Sequence, residues 1–176
     1  IGGSLITEEN GTYTNRFYFI SPEGDVHYYD KRHTFRMAGE HEHYESGQSR
    51  VVVEYKGWRI LLLICYDLRF PVWARNRVDG DALGYYLIAL VANWPQPRID
   101  QWETLIKARA IENQCYVAAV NRVGEDGNGH PYSGSSMIVN PLGKPIVYAH
   151  SQEGLLHAAL SKKDLAFWRN KFPFWM

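Results

Sequence analysis

Cys65 closes an almost continuous apolar run, Ile60-Leu61-Leu62-Leu63-Ile64, and passes at once into Tyr66-Asp67-Leu68-Arg69-Phe70-Pro71. Such a run reads as a strand buried on both faces. Pro71 is a favourable first-turn residue, so the spacing predicts a helix over Val72 to Arg77. A cysteine at this strand-to-helix passage sits where backbone N–H groups can meet developing negative charge. Its thiolate would be a nucleophile for acyl transfer if positive charge or N–H groups stabilise it. The competing reading is a small buried hydrophobe, the commonest state of a free cysteine. Cys115 stands in a strand pattern with no polar cluster beside it and takes that second reading.

Lys31, in Tyr29-Asp30-Lys31-Arg32-His33, could lower a thiol pKa and neutralise an oxyanion, or be a solvated surface lysine. Glu40, Glu42 and Glu45 could orient a nucleophile or leaving amine; beside His41 and His43 they could equally form a wet loop. Asp67 and Arg69 could pair beneath the site or make an ordinary surface ion pair. Glu112, at the end of a long helix, has the same ambiguity. His41-Glu42-His43 has metal-ligand residue types, but its spacing matches no common zinc site, and there is no CxxC or HExxH. No metal and no organic cofactor is expected.

The elements that must hold these residues follow from periodicity. Asn15 to Ile20 and Val26 to Tyr29 read as a hairpin about Pro22-Glu23-Gly24-Asp25. Asp30 to Ser49 reads as a long irregular, site-forming loop. Val51 to Val53, a Lys56-Gly57 turn and Trp58 to Cys65 follow, with further strands over Tyr85 to Ala92 and Cys115 to Val120. Between these last two, Ile99, Trp102, Ile106 and Ala110 recur at helical steps over Arg98 to Asn113. Asn121 to Pro131 reads as a glycine-containing loop. Ser136 to Val139 and Pro145 to Ala149 read as a hairpin, Gly154 to Leu160 as a last strand, and Ser161 with Asp164 as a helix start running to near Pro173. Hairpins mixed with crossovers predict an α/β sandwich with helices outside a mixed sheet. No glycine fingerprint follows any strand, which excludes a Rossmann or P-loop reading.

The 176 residues suit one domain, 1–176, undivided by repeat or linker. Nineteen basic and nineteen acidic residues cancel, so no net field favours nucleic acid or an anionic membrane. Apolar stretches are too short to span a bilayer. Two cysteines in apolar runs argue for a reducing, cytoplasmic compartment. Twelve Tyr, seven Phe and six Trp favour buried interfaces or pockets, and so an oligomer.

Arg59 to Pro71 resembles the nucleophile motif of the nitrilase superfamily, the carbon–nitrogen hydrolases, and Tyr29 to Phe35 resembles its catalytic-lysine segment. Ala92-Asn93-Trp94-Pro95, Arg109-Ala110-Ile111-Glu112-Asn113-Gln114 and Ser133-Gly134-Ser135-Ser136 follow in the family's order. Asp30-Lys31-Arg32-His33, Glu40-His41-Glu42-His43-Tyr44 and Gly127-Asn128-Gly129-His130 suggest the bacterial omega-amidase branch, which hydrolyses the terminal amide of 2-oxoglutaramate. The resemblance implies a four-layer α-β-β-α sandwich, N-terminally incomplete here, in a homodimer or larger homo-oligomer. It implies Cys65 as nucleophile, with Lys31 and the Tyr66 N–H at the oxyanion. Glu40 would be the accessory glutamate, placed by Gly47 after it, with Glu42 in reserve. Asn93, Trp94 and Pro95 would line the pocket; Asp67 and Arg69 would support the nucleophile turn, and Arg109 and Glu112 would form a supporting ion pair. The family's general-base glutamate would precede Ile1, and Glu8 and Glu9 lie too near the hairpin to replace it. The 176 residues alone are therefore expected to be inactive. The stretch Val78 to Leu90 is longer than the family's, which reads either as a true insertion that alters the pocket entrance or as an irregularity of the sequence itself.

Overall fold

The computed structural model describes residues 1–79 and 82–174. Its elements in chain order are β1 (Gly2–Glu9), β2 (Thr12–Ile20), β3 (Val26–Asp30), α1 (Glu40–His43), β4 (Val52–Tyr55), β5 (Trp58–Ile64), α2 (Pro71–Ala74), β6 (Val78–Asp79), β7 (Ala82–Leu83), β8 (Leu87–Ala92), α3 (Ile99–Asn113), β9 (Tyr116–Asn121), β10 (Val123–Glu125), β11 (Pro131–Ser133), β12 (Met137–Val139), β13 (Pro145–Tyr148) and α4 (Lys162–Lys171). Six strands form a mixed sheet in the order β13-β12-β9-β8-β5-β4, and β1-β2-β3 form an antiparallel sheet. Within the larger sheet β5, β8 and β9 run parallel, with Ile60 beside Leu87 and Leu87 beside Tyr116.

Strand alternation sorts β5 into two faces. Leu61 and Leu63 join Ile88, Leu90 and Val117 in a core with Trp102, Ile106 and Ala110 of α3. Ile60, Leu62 and Ile64 point the other way, against Phe17 and Tyr29 of the three-stranded sheet. Each such aliphatic side chain stabilises the fold by roughly 1.5–3 kcal/mol on burial. A helix, a mixed sheet and a second sheet thus stack as α-β-β, the arrangement within the predicted four-layer sandwich. Beyond β8 the inner face of the mixed sheet is less covered, and Val120 is 59% exposed.

Several local expectations change. The predicted Val72–Arg77 helix lasts one turn, Pro71–Ala74, because Arg75 leaves helical geometry at ψ 121°. The Asn76 side chain then binds Tyr85 and Asn113 instead. The predicted irregular loop over Asp30 to Ser49 contains a 3-10 turn (Arg36–Ala38) and the single turn of α1. The predicted Asn121–Pro131 loop contains β10, which pairs with β11 beyond it. Gly154 to Leu160 is not a strand: among the described residues the sheet ends at β13, and the segment joins no ladder. The stretch after Val78 forms the β6–β7 pair, whose tip, Gly80 and Asp81, lies outside the described residues. It sits by a cleft formed with Asn113 and Phe174, not at the mouth of the cavity that holds Cys65.

Candidate active site

Cys65 follows β5 at φ +43°, a left-handed conformation rare for a residue with a Cβ. The chain turns there into a 3-10 segment, Cys65–Arg69. A buried carboxylate fixes the turn. Asp67 Oδ2 accepts from Ile64 N–H (3.0 Å) and from Tyr29 Oη (2.8 Å). Asp67 Oδ1 accepts from His33 N–H at 3.1 Å and faces His33 Nδ1 at 2.8 Å. Trp73 Nε1 and Arg32 N–H in turn donate to Tyr29 Oη, and the His33 ring stacks on Phe70 at 3.6 Å. Asp67 therefore clasps the nucleophile turn to the segment carrying Lys31. Burial, reinforced by Asp67, pushes the Tyr29 phenol upward and keeps it a donor.

Lys31 is 2% exposed and lies at the end of β3. Its ammonium meets both Glu40 oxygens, at 2.8 and 2.5 Å. Glu40 also accepts from Asn15 Nδ2 at 3.1 Å and from the Phe35 N–H. Burial alone would raise the Glu40 carboxyl, but Lys31 and these N–H donors outweigh it and hold it below the usual range. Gly47 brings the returning loop against this strand: its N–H reaches Lys31 O at 2.9 Å, and a Cβ there would lie 2.0 Å from Asp30 O. Only glycine permits that approach.

The third wall comes from the ends of β8 and β9. Asn121 Nδ2 donates to Trp94 O (3.0 Å) and Gly134 O (2.7 Å), while its Oδ1 accepts from Trp94 N–H at 2.7 Å. This holds the Asn93 carbonyl 3.8 Å from the Cys65 sulfur, whose S–H can donate to it. The three walls enclose a cavity of about 940 Å³ whose lining includes Cys65, Lys31, Glu40, Asn93, Trp94 and Pro95. Burial pushes the Cys65 thiol up; Lys31 draws it down, Glu40 pushes it up again, and the balance stays above an ordinary thiol. The thiol rests protonated and needs a proton acceptor when it attacks.

The residues expected at the site fall into three groups. Cys65, Lys31, Glu40, Tyr66, Asn93, Trp94 and Pro95 meet at the cavity. Asp67, Arg109 and Glu112 stand behind it: Arg109 pairs with Glu112 at 2.8 Å and donates to Leu68 O at 2.6 Å, bracing the nucleophile turn from α3. Two expectations are corrected. Glu42 is exposed and does not line the cavity, because the single turn of α1 that turns Glu40 inward leaves Glu42 facing outward. Arg69 does not support Asp67, whose acceptor sites go to Tyr29, His33 and Ile64; it lines the cavity, 4.7 Å over the Trp94 ring, and donates to Gln101. Asn15 and Asn121 were not expected at all. Asn121 carried one usable signal, a polar residue ending the apolar Cys115–Val120 run. Asp126 organises the β10–β11 turn by accepting from Asn128 and His130 N–H, and backbone donation by His130 holds its carboxyl low. Among the described residues no group of three His, Cys, Asp or Glu could hold a metal ion, and no helix is long and apolar enough to cross a membrane.

The family model described as carbon-nitrogen hydrolase matches residues 1–170. The chain is 52% identical over 176 residues to omega-amidase YafV of Escherichia coli strain K12, covering 99% of this chain and 67% of that protein. It is 34% identical over 174 residues to the 2-oxoglutaramate amidase of Bacillus subtilis strain 168, covering 98% and 66%. The crystal structure of XC1258 from Xanthomonas campestris, a CN-hydrolase superfamily protein with an arsenic adduct in its active site, superposes with a TM-score of 0.95 at 47% identity. That match covers 98% of this chain and 66% of the other. The chain thus spans about two thirds of the length of the relatives it matches.

Proposed function

The chain belongs to the carbon–nitrogen hydrolase family, and on that premise we propose that it hydrolyses small linear omega-amides of the 2-oxoglutaramate kind to a carboxylate and ammonia. The observation that carries this reading is a strained cysteine on the floor of a cavity, with a buried ammonium–carboxylate pair in the adjoining wall. The names of the omega-amidase and 2-oxoglutaramate amidase relatives support the substrate class.

In this mechanism Cys65 is the nucleophile. Its sulfur attacks the amide carbon, and the oxyanion is met by the Lys31 ammonium and the Tyr66 N–H. A first-turn N–H has no partner inside its own helical segment and is free to donate. The C–N bond breaks as the nitrogen takes a proton, and ammonia leaves a thioester on Cys65. Water then cleaves the thioester, releasing the carboxylate and restoring the thiol. Glu40, held acidic by Lys31, is a poor proton acceptor near neutrality; its role is to keep the ammonium fixed and oriented. The thiol proton passes to the family's general-base glutamate, which returns it to the leaving nitrogen. Asp67, Arg109 and Glu112 position the nucleophile turn, and Asn93, Trp94 and Pro95 shape the amide end of the pocket. Neither a metal nor an organic cofactor takes part. The enzyme acts in the cytoplasm as a homodimer or larger homo-oligomer, which light scattering would size.

The decisive experiment compares ammonia release from 2-oxoglutaramate, glutamine and N-carbamoyl amino acids. A kcat/KM for 2-oxoglutaramate far above the other two is expected. Preference for a carbamoyl substrate would transfer the site to a carbamoylase, and no release from any of the three by a protein that also carries the family's general-base glutamate would overturn the assignment.

A further inference from the structure

The described cations of the interior are mostly spoken for by acids. Lys31 is paired with Glu40, Arg16 with Glu9 and Asp30, and Arg109 with Glu112. Arg98 is different. It ends the 3-10 turn Gln96–Arg98, is half-buried, and lines the same cavity as Cys65. Its guanidinium carbon lies 5.5 Å from the centroid of the Phe35 ring, and its backbone carbonyl accepts from Trp94 Nε1 at 2.7 Å. Among the described residues its side chain has no carboxylate and no hydrogen-bond acceptor. The other two arginines of the cavity are more committed: Arg69 donates to the Gln101 side chain, and Arg122 donates to the Glu125 carbonyl at 2.6 Å.

A partly desolvated guanidinium without an acid is poorly satisfied, and its planar fork matches a carboxylate bidentately. The anions already in the cavity wall are engaged elsewhere, Glu40 by Lys31 and Asp126 by the turn it caps. Phe35 links Arg98 to the reacting end, since its ring lies 4.9 Å from that of Tyr66 and its N–H holds Glu40. We propose that Arg98 is the specificity-determining residue of the cavity, receiving the carboxylate at the far end of an amide whose carbonyl lies at Cys65. This deepens the amidase reading and rests on it for the substrate, but the anion site itself can be tested without turnover.

The test is protection of Cys65 from iodoacetamide, followed by peptide mapping, with glutarate as the anionic probe and valeramide as an uncharged one of similar length. Glutarate should protect the wild-type protein. In Arg98→Gln the glutarate concentration for half-protection should rise about tenfold or more relative to that for valeramide, the size expected for one charge-assisted pair. Arg98→Lys should fall between the two. Thermal melts of all variants separate this shift from loss of the fold. No protection of the wild type by glutarate, an unchanged ratio in Arg98→Gln, or the same shift appearing in Arg122→Gln instead would each overturn the assignment. Ammonia release by the wild type is measured alongside. Protection with the Arg98 dependence but without hydrolysis, in a protein that also carries the family's general-base glutamate, would keep the anion site and reject the amidase.

Discussion

Cys65 and Cys115 stand at opposite ends of the same parallel strands. Cys65 follows β5 and Cys115 precedes β9, so one lies at the carboxyl edge of the sheet and the other at its amino edge. Both edges use a left-handed residue, Cys65 itself at φ +43° and Gln114 at φ +44°. At Cys65 that twist turns the chain toward a cavity lined by a buried ion pair. At Gln114 it closes α3, and α4 seals the end: Arg169 donates to Gln114 O and Tyr85 O, and Tyr116 Oη to Ser161 O. Cys115 is fully buried, and burial drives its thiol far upward, outweighing the downward pull of the Arg169 guanidinium. Residue type is common to the two places; what differs is whether the next few residues admit solvent and charge or helix and hydrocarbon.

Removing the two sulfurs is the strongest way to break the comparison. Cys65→Ala should abolish ammonia release, by about 10⁴-fold or more, whereas Cys115→Ala should stay within about threefold of wild-type turnover and lower the melting temperature by a few degrees at most. Removing the ammonium comes next. Lys31→Met should reduce kcat by about 10²–10³-fold. It should also move the pH midpoint of Cys65 alkylation further upward, since Lys31 opposes the upward push of burial and Glu40 on the thiol. A midpoint that moved downward would contradict the geometry. Asp67→Asn leaves a neutral amide among donors that need an acceptor, and should cost roughly 2–4 kcal/mol in urea unfolding. The smallest effect belongs to the sealed edge. Ser161 caps α4 by accepting from Asp164 N–H at 3.0 Å, so Ser161→Ala should lose about 1 kcal/mol while turnover is unchanged.

Much of the site was legible because it is local. The Ile60–Ile64 run announced β5, the helical spacing of Ile99, Trp102, Ile106 and Ala110 announced α3, and Cys65 and Lys31 stood at the ends of readable strands. The errors came where partners are distant or choices close together. Asp67 offers Arg69, two residues away, as a possible partner in the sequence, while the partners it takes, Tyr29 and His33, lie 38 and 34 residues back along the chain. Three glutamates within six residues offered no periodicity to separate them; one helical turn decided for Glu40 against Glu42. Asn15 binds the Glu40 side chain and Asn121 the Trp94 carbonyl, partners 25 and 27 residues away that composition does not encode. Gly154 to Leu160 has a strand's composition but joins no sheet among the described residues.

The left-handed Cys65 sets durability against chemistry at a single position. An L-residue held there costs about 1–2 kcal/mol that glycine would not. Cys65→Gly should therefore give a hardier protein that has lost its sulfur, and any lineage drifting toward robustness at this bend would drift away from turnover. The tension makes this turn a place where selection for activity must act continuously, because heat resistance and reactivity reward opposite residues.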